Sequence, residues 1–233
     1  MSGGAVHGNP PGDSAHSEVQ LLRAFVEREI PGRSVILVTS ARDGDGKSLT
    51  AYSLADCLAR AGRRTALVDG TTESSSYVRI ANTGRGEGDG DLALYVPAAT
   101  TRTPLFRDAT QRFVENMRAL HEFTIIDGAA LLTSEMAMAL AESVDAVLLS
   151  VRLGRPPSID DESTSLMLDR SASRVLGVVA ASPEAIDEYE RRGAPQNAGA
   201  DAQRSPSPSW IEQIRRAWDG GASLLRRVAP AVD

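Results

Sequence analysis

Aromatic side chains make up only 4% of the 233 residues, so Val, Leu, Ala and Ile have to fill any core. A single cysteine, Cys57, excludes an internal disulfide and fits a reducing compartment. It lies in "AYSLADCLARAG", among small and apolar residues at helical spacing and with no histidine close in sequence. That setting reads as a buried structural thiol rather than a nucleophile. Positive charge is not in excess: 25 Lys and Arg stand against 31 Asp and Glu, for a net charge of -6. Such a balance argues against nucleic acid as a partner. No run approaches the roughly 20 apolar residues of a membrane-spanning helix. The opening "MSGGAVHGNPPGDSAH" also lacks the apolar centre of a secretory signal. The expectation is a cytoplasmic protein that meets a membrane only peripherally.

What is present is a series of short apolar runs: "SVILVTS", "RTALVDG", "EFTIIDG", "DAVLLSVR" and "RVLGVVAA". Nearly continuous Val/Ile/Leu runs of this length suit strands buried on both faces of a parallel sheet. Between them the apolar spacing is helical, with Leu49, Leu54 and Leu58 on one segment and Leu105, Phe113, Met117 and Leu120 on another. "SEMAMALAES" and "SIDDESTSLMLDRSA" continue the alternation. Strand-helix alternation of this kind predicts an α/β fold, a doubly wound and mostly parallel sheet.

Around that core, residues 1–16 read as a disordered lead-in rich in Gly, Pro, Ser and His. A helix over 18–29 follows, with Val19, Leu22, Phe25 and Val26 on one face, Ser17 as its N-cap and Pro31-Gly32 as its stop. Residues 71–104, rich in glycine and hydroxyl side chains, read as a long loop with a short helix at "DLALYV". The sheet domain is assigned to 17–188, a flexible linker to 189–209 and an amphipathic tail to 210–233.

The stretch "SARDGDGKSLT", residues 40–50, stands between the first apolar run and a helix. Compared with G-x-x-x-x-G-K-[ST], it replaces only the first glycine, by Ala41. Asp43, Gly44, Asp45, Gly46, Lys47, Ser48 and Leu49 are therefore the candidate phosphate-binding residues. Glycines at 44 and 46 let backbone N–H groups turn inward, and the start of the following helix adds its positive end. Lys47 is placed to neutralise phosphate oxygens, and the Ser48 hydroxyl to ligate Mg²⁺. Asp69 and Asp127 each close a strand run, on the sheet edge where such folds bind ligands. Asp127 is the candidate metal-holding carboxylate. Asp69 is the candidate to bind the metal's water or to orient an attacking hydroxyl. Lys47, Asp69 and Asp127 form the candidate catalytic set. The plainer reading of both aspartates is turn formation by Asp-Gly pairs.

"VILVTSARDGDGKSLTAYSLADCLARAGRRTALVDG", "EFTIIDGAALLTSEMAMALAESVDAVLLSVRLG" and "RVLGVVAAS" together resemble the bacterial tyrosine kinases of capsule and exopolysaccharide synthesis. These are P-loop ATPases related to the partition ATPases, and the resemblance covers residues 18–182. It implies ATP or ADP with Mg²⁺ as ligand, docking on a membrane polysaccharide co-polymerase, and assembly into a homo-oligomer. In the partition branch a signature lysine stands where Arg42 stands here, either as its substitute or as a solvated loop side chain.

Departures from the family pattern are as informative. The family's D-x-D is Asp69-Gly70-Thr71 here, and D-x-P-P is Asp127-Gly128-Ala129-Ala130. Ala180 and Ala181 stand where an asparagine meets adenine. Glu18 and Arg23 are out of register for the ring-closing E-x-x-R-x-x-R helix, and no tyrosine follows Tyr189. A tail without tyrosine is no phospho-acceptor cluster. The reading is a degenerate, regulatory ATP-binding partner of a co-polymerase. Two alternatives stand beside it: an active kinase using Tyr77, Tyr95 or Tyr189, and a partition-type positioning ATPase. In the tail, Trp210, Ile211, Ile214 and Trp218 share helical spacing beside Arg215 and Arg216, and Leu224, Leu225 and Val228 continue it. This helix either packs on the domain, enters a partner's groove or lies on an anionic membrane surface.

Overall fold

The computed structural model describes residues 11–30, 32–71, 77–82, 91–97, 107–171, 173–191 and 225–229. In chain order they form α1 (Pro11–Glu29), β1 (Ser34–Thr39), α2 (Lys47–Arg60), β2 (Thr65–Gly70), β3 (Tyr77–Asn82) and β4 (Leu92–Pro97). Then come α3 (Arg107–Leu120), β5 (Phe123–Gly128), a 3₁₀ turn (Leu131–Thr133), α4 (Glu135–Ser143) and β6 (Ala146–Arg152). The order closes with α5 (Ile159–Arg170), β7 (Val175–Ala181), α6 (Pro183–Arg191) and β8 (Leu225–Ala229).

Among the described residues, eight strands make one sheet in the order β3-β4-β2-β5-β1-β6-β7-β8. The strands from β4 to β7 are mutually parallel, whereas β3 and β8 are antiparallel edges. Each of the five runs read as strands is a strand of this parallel core. Their continuous hydrophobicity has a direct cause, since successive side chains enter opposite layers. Ile36 and Val38 of β1 pack with α1, α2 and α6, while Val35 and Leu37 pack with α3, α4 and α5. The chain leaves β1 toward β2 on one side and later crosses from β5 to β6 on the other. β1 is thereby central, and the loop at its carboxyl end lies at the crevice where α/β sheets bind ligands.

Asp145, just before β6, ties three elements together at the opposite edge. One of its oxygens accepts the Val35 N–H at 2.7 Å, and Arg118 of α3 donates to both oxygens at 2.9 and 3.2 Å.

Several expectations are corrected. Helix α1 begins at Pro11, inside the stretch read as disordered. Proline suits a first turn because its missing N–H would have no helical partner there. Residues 1–10 lie outside the described residues. "DLALYV" is not a helix in a loop but strand β4. Its apolar run is too short for a helix, and Leu92 and Leu94 enter one layer while Ala93 and Tyr95 enter the other. Leu120, grouped with the inward residues of α3, is 56% exposed at the helix's last position. Helix α6 continues to Arg191 with Tyr189 buried, so the segment assigned as linker begins with structured residues. Residues 225–229, read as the end of a tail helix, pair as a strand with β7, whose outer edge would otherwise leave backbone groups unpaired. Trp210, Ile211, Ile214 and Trp218 lie outside the described residues.

Asp145→Ala is expected to lower stability by about 1–3 kcal/mol, because it strands the buried Val35 N–H. Urea unfolding measures this as a lower midpoint at unchanged slope. An unchanged midpoint would remove Asp145 from the fold's supports.

Candidate functional site

The loop leaving β1 is shaped by two left-handed glycines, Gly44 (φ +78°) and Gly46 (φ +82°). Gly46 is also the N-cap of α2 and offers no side-chain cap, so the first amides of α2 are left for another partner. A Cβ at Gly46 would fall 2.8 Å from Ala181 Cβ and 3.1 Å from Ile186 Cγ1. The end of β7 and the start of α6 therefore rest directly on the loop. At its entry, Thr39 Oγ1 donates to the Ala129 carbonyl at 2.7 Å, and the Leu131 N–H donates to the Ser40 carbonyl at 2.9 Å. The loop is thus tied to the segment after β5.

Lys47, on the first turn of α2, is only 8% exposed. Its ammonium lies 3.0 Å from Asp43 Oδ1 and 3.4 Å from the Arg42 carbonyl. Asp43 itself is 82% exposed. A solvent-facing carboxylate thus occupies the charge that the sequence pattern assigns to phosphate. Ser48 is half-buried beside Lys47, whereas Leu49 sends its side chain into the core and offers the loop only its backbone.

Asp69 and Asp127 are register partners on the adjacent strands β2 and β5, as are Gly70 and Gly128. The two carboxylates are therefore neighbours at one sheet edge, as their positions in the apolar runs predict. Asp127 Oδ1 is buried with no hydrogen-bond partner. Burial pushes its carboxyl up to about 7, the neighbouring Asp69 adds to this, and a Ser48 hydrogen bond and the Lys47 charge pull it down. A buried orphan carboxylate oxygen beside a serine hydroxyl is a donor set that suits a hard cation and its waters. Asp69 is less free: its Oδ1 accepts the Thr71 N–H at 3.1 Å and the Thr71 hydroxyl at 2.6 Å. The paired glycines have a packing reason beyond turn formation. A Cβ at Gly70 would sit 2.7 Å from Ile126 Cγ2, and one at Gly128 2.6 Å from Leu37 Cδ1.

Asp45 does not face the phosphate position through its side chain. It is 2% exposed and paired with Arg155 at 3.0 Å. Burial raises its carboxyl pKa, against the opposing charges of Arg42 and Lys47. Arg155 also reaches Asp161 at 2.8 Å, and Arg42 reaches Asp161 at 3.4 Å. Arg42 is therefore no freely solvated loop arginine. Arg155, Asp161 and Ser150 were invisible as site residues in the sequence. The available signal was the Ser158-x-x-Asp161 capping box, which locates the start of α5 but not its approach to the loop.

The candidate acceptor tyrosines are withdrawn from solvent. Tyr95 is 8% exposed, with its hydroxyl 3.0 Å from His121 Nε2. The Tyr77 hydroxyl is buried without a partner, and burial raises both this phenol and that of Tyr189 above the ordinary tyrosine range.

A parallel α/β sheet with a Gly-Lys-Ser loop behind its central strand and an aspartate ending the neighbouring strand is the P-loop NTPase fold. No protein-family model matches the chain. By sequence it is similar to the tyrosine-protein kinase CpsD of Streptococcus agalactiae serotype III, 27% identical over 181 residues that span 68% of this chain and 78% of the relative. The CpsD kinase of Streptococcus pneumoniae is 28% identical over 172 residues, spanning 62% and 74%. Among solved structures, the kinase domain of Escherichia coli tyrosine kinase ETK superposes with a TM-score of 0.59 at 16% identity, covering 76% of this chain and 81% of that one. The BceF tyrosine kinase domain gives 0.52 at 19%, covering 71% and 76%. The chain is similar in sequence to bacterial tyrosine kinases and shares the fold of their kinase domains.

The two loop glycines give a graded expectation. Gly44→Ala has open space at its Cβ and carries only the left-handed cost of roughly 1–2 kcal/mol. Gly46→Ala adds overpacking against Ala181 and Ile186, about 1–3 kcal/mol more. Urea unfolding of the two variants measures the difference, and equal losses would mean that β7 and α6 do not rest on the loop.

Proposed function

We propose that this chain is a cytoplasmic, ATP-binding regulatory protein of exopolysaccharide or capsule biosynthesis and export, a degenerate relative of the bacterial tyrosine kinases. Its partner in this reading is a membrane polysaccharide co-polymerase, on which it docks as a peripheral protein, with assembly into a homo-oligomer. No helix among the described residues is long and apolar enough to cross a membrane. The observation that carries the nucleotide reading is the orphan buried oxygen of Asp127 beside a helix start with no side-chain cap. Backbone N–H groups of Gly44 to Ser48 would surround the phosphates, and Lys47 would exchange Asp43 for phosphate oxygens. Ser48 and Asp127 would hold Mg²⁺, which draws charge from the transferring phosphoryl group. Asp69 would orient water or an acceptor hydroxyl.

The regulatory reading rests on what opposes phosphoryl transfer. Thr71 stands where the family has a second carboxylate and engages Asp69 with two hydrogen bonds. Positioning and charge neutralisation carry most of phosphoryl transfer, so an acceptor carboxylate already engaged should slow it. The buried hydroxyls of Tyr77 and Tyr95 are poorly placed as acceptors. The relatives' names favour the second reading, an active tyrosine kinase.

Isothermal titration with Mg·ADP and Mg·ATP is expected to show binding that Lys47→Ala weakens strongly and Ser48→Ala weakens mainly in its Mg²⁺-dependent part. Equal affinities for wild type and Lys47→Ala would remove the phosphate-loop assignment.

Incubation with γ-labelled ATP and Mg²⁺ is expected to yield little phosphotyrosine. Robust labelling that vanishes in Lys47→Met would establish the kinase reading instead. Labelled free phosphate without phosphotyrosine would indicate slow hydrolysis, compatible with a switch that docks by nucleotide state.

A further inference from the structure

The phosphate loop is held by an ion cluster that includes one of its own candidate residues, Asp45. Arg155 lies between β6 and α5 and is distant from the loop in sequence. Its Nη2 donates to Asp45 Oδ2 at 3.0 Å and to Asp161 Oδ1 at 2.8 Å. Asp45 sits between the two left-handed glycines, so the orientation of its side chain and the path of the loop are linked. The Asp45 carbonyl is pinned separately, by the Ser150 hydroxyl at 2.7 Å, which lies 3.3 Å from the Thr50 hydroxyl of α2. Asp161 anchors the cluster to a rigid element. It completes the capping box of α5 by accepting the Ser158 N–H at 2.7 Å and its hydroxyl at 3.0 Å. Arg42, on the loop's entering limb, closes the group through Asp161 at 3.4 Å.

The cluster is not optimised for stability alone. Arg155 Nη1 and Arg42 Nε are buried without hydrogen-bond partners, and a buried guanidinium nitrogen left unpaired costs free energy. A buried ion pair is weak evidence of stabilisation and can instead serve to fix one geometry. Here the geometry at stake is electrostatic as well as steric. Asp45 carries a negative charge on a loop whose function calls for an anion on its inner side. The guanidinium at 155 holds that buried carboxylate by direct contact, while Arg42 and Lys47 act on it through their charge.

We propose that Arg155 is a positioning residue of the phosphate loop: by holding Asp45 against the start of α5, it keeps the loop's amides inward and the Asp45 charge off the phosphate position. This rests on the nucleotide reading above. Without Arg155, the Asp45 carboxylate loses the cation it touches and, already within the field of Lys47, competes with phosphate for that ammonium. Two arginine contacts at fixed angles are needed, so lysine, a point charge, substitutes only in part.

Mg·ADP titration of the full chain tests this, with a thermal melt of each variant. Arg155→Met is expected to lose affinity on the order of tenfold, and Arg155→Lys less. The deciding variant is the double Asp45→Asn/Arg155→Met. If Arg155 acts by restraining the Asp45 charge, the double binds more tightly than Arg155→Met alone, although it contains fewer ion pairs. A merely structural role would leave the double as weak as Arg155→Met or weaker, which overturns the proposal. Unchanged affinity in both Arg155 variants, with wild type binding and Lys47→Ala not, overturns it while sparing the nucleotide reading. Absence of Mg·ADP binding in wild type overturns both. Should Arg155→Met not fold, the pair Arg155→Lys and Asp45→Asn/Arg155→Lys carries the same comparison.

Discussion

The contact on which the site depends is between a missing side chain and the far end of the sheet. Gly46 has room for no Cβ, because Ala181 at the end of β7 and Ile186 on α6 already fill that space. The residue therefore does two things at once. Its left-handed backbone turns the chain from loop to helix, and its bare surface lets α6 close one side of the crevice. Every candidate residue of the phosphate loop lies within three residues of this point. The helix start carries a partial positive charge, and a glycine cap leaves it uncovered. Remove the close packing and the loop has no floor; fill it and the helix cannot begin where it does.

Much of this arrangement is legible in the chain because it is local. A loop of Gly-x-Gly-Lys-Ser type between an apolar run and a helical segment needs only short-range signals. Asp69 and Asp127 could be placed at one edge because each ends a run whose length and β-branching mark a buried parallel strand. Their adjacency follows from the order in which those strands pair, and the register bears it out. Where local signals were ambiguous the reading failed. "DLALYV" has a strand's length but sits among glycines and hydroxyl residues, whose loop character masks its own hydrophobicity. Residues 225–229 read Leu-Arg-Arg-Val-Ala, a mix of basic and apolar residues that fits a helix stripe as well as an edge strand. Pairing with β7, a tertiary fact, decides between them.

The ion cluster was out of reach for a stronger reason. Asp45 and Arg155 are brought together only by the crossing of the chain from β5 over β1 to β6, and no periodicity encodes that. Arg42 illustrates the limit well. By composition it was a solvated loop side chain or a substitute for a signature lysine. In the fold its guanidinium is partly buried against Asp161, which makes it part of the loop's support. Charged residues in a polar loop carry little information about burial, because burial there is conferred by elements remote in sequence.

Seen as electrostatics, the loop region is internally neutralised. Lys47 is matched by Asp43, and Arg42 and Arg155 are matched by Asp45 and Asp161. The two halves differ in kind. The Asp43 contact is made by a carboxylate that is almost fully in solvent, where an ion pair of this sort contributes at most about 1 kcal/mol and exchanges readily. The Asp45 contact is made inside the protein, where breaking it leaves an unpaired charge at a cost several times larger. An arriving polyphosphate would therefore displace the first and leave the second standing. The positive charge exposed by that exchange is the single ammonium of Lys47, while the guanidinium groups stay committed to the scaffold. In the proposed reading, a loop built in this way would present a defined, monovalent electrostatic demand, and its affinity would depend on how firmly the surrounding cluster holds the backbone amides in place.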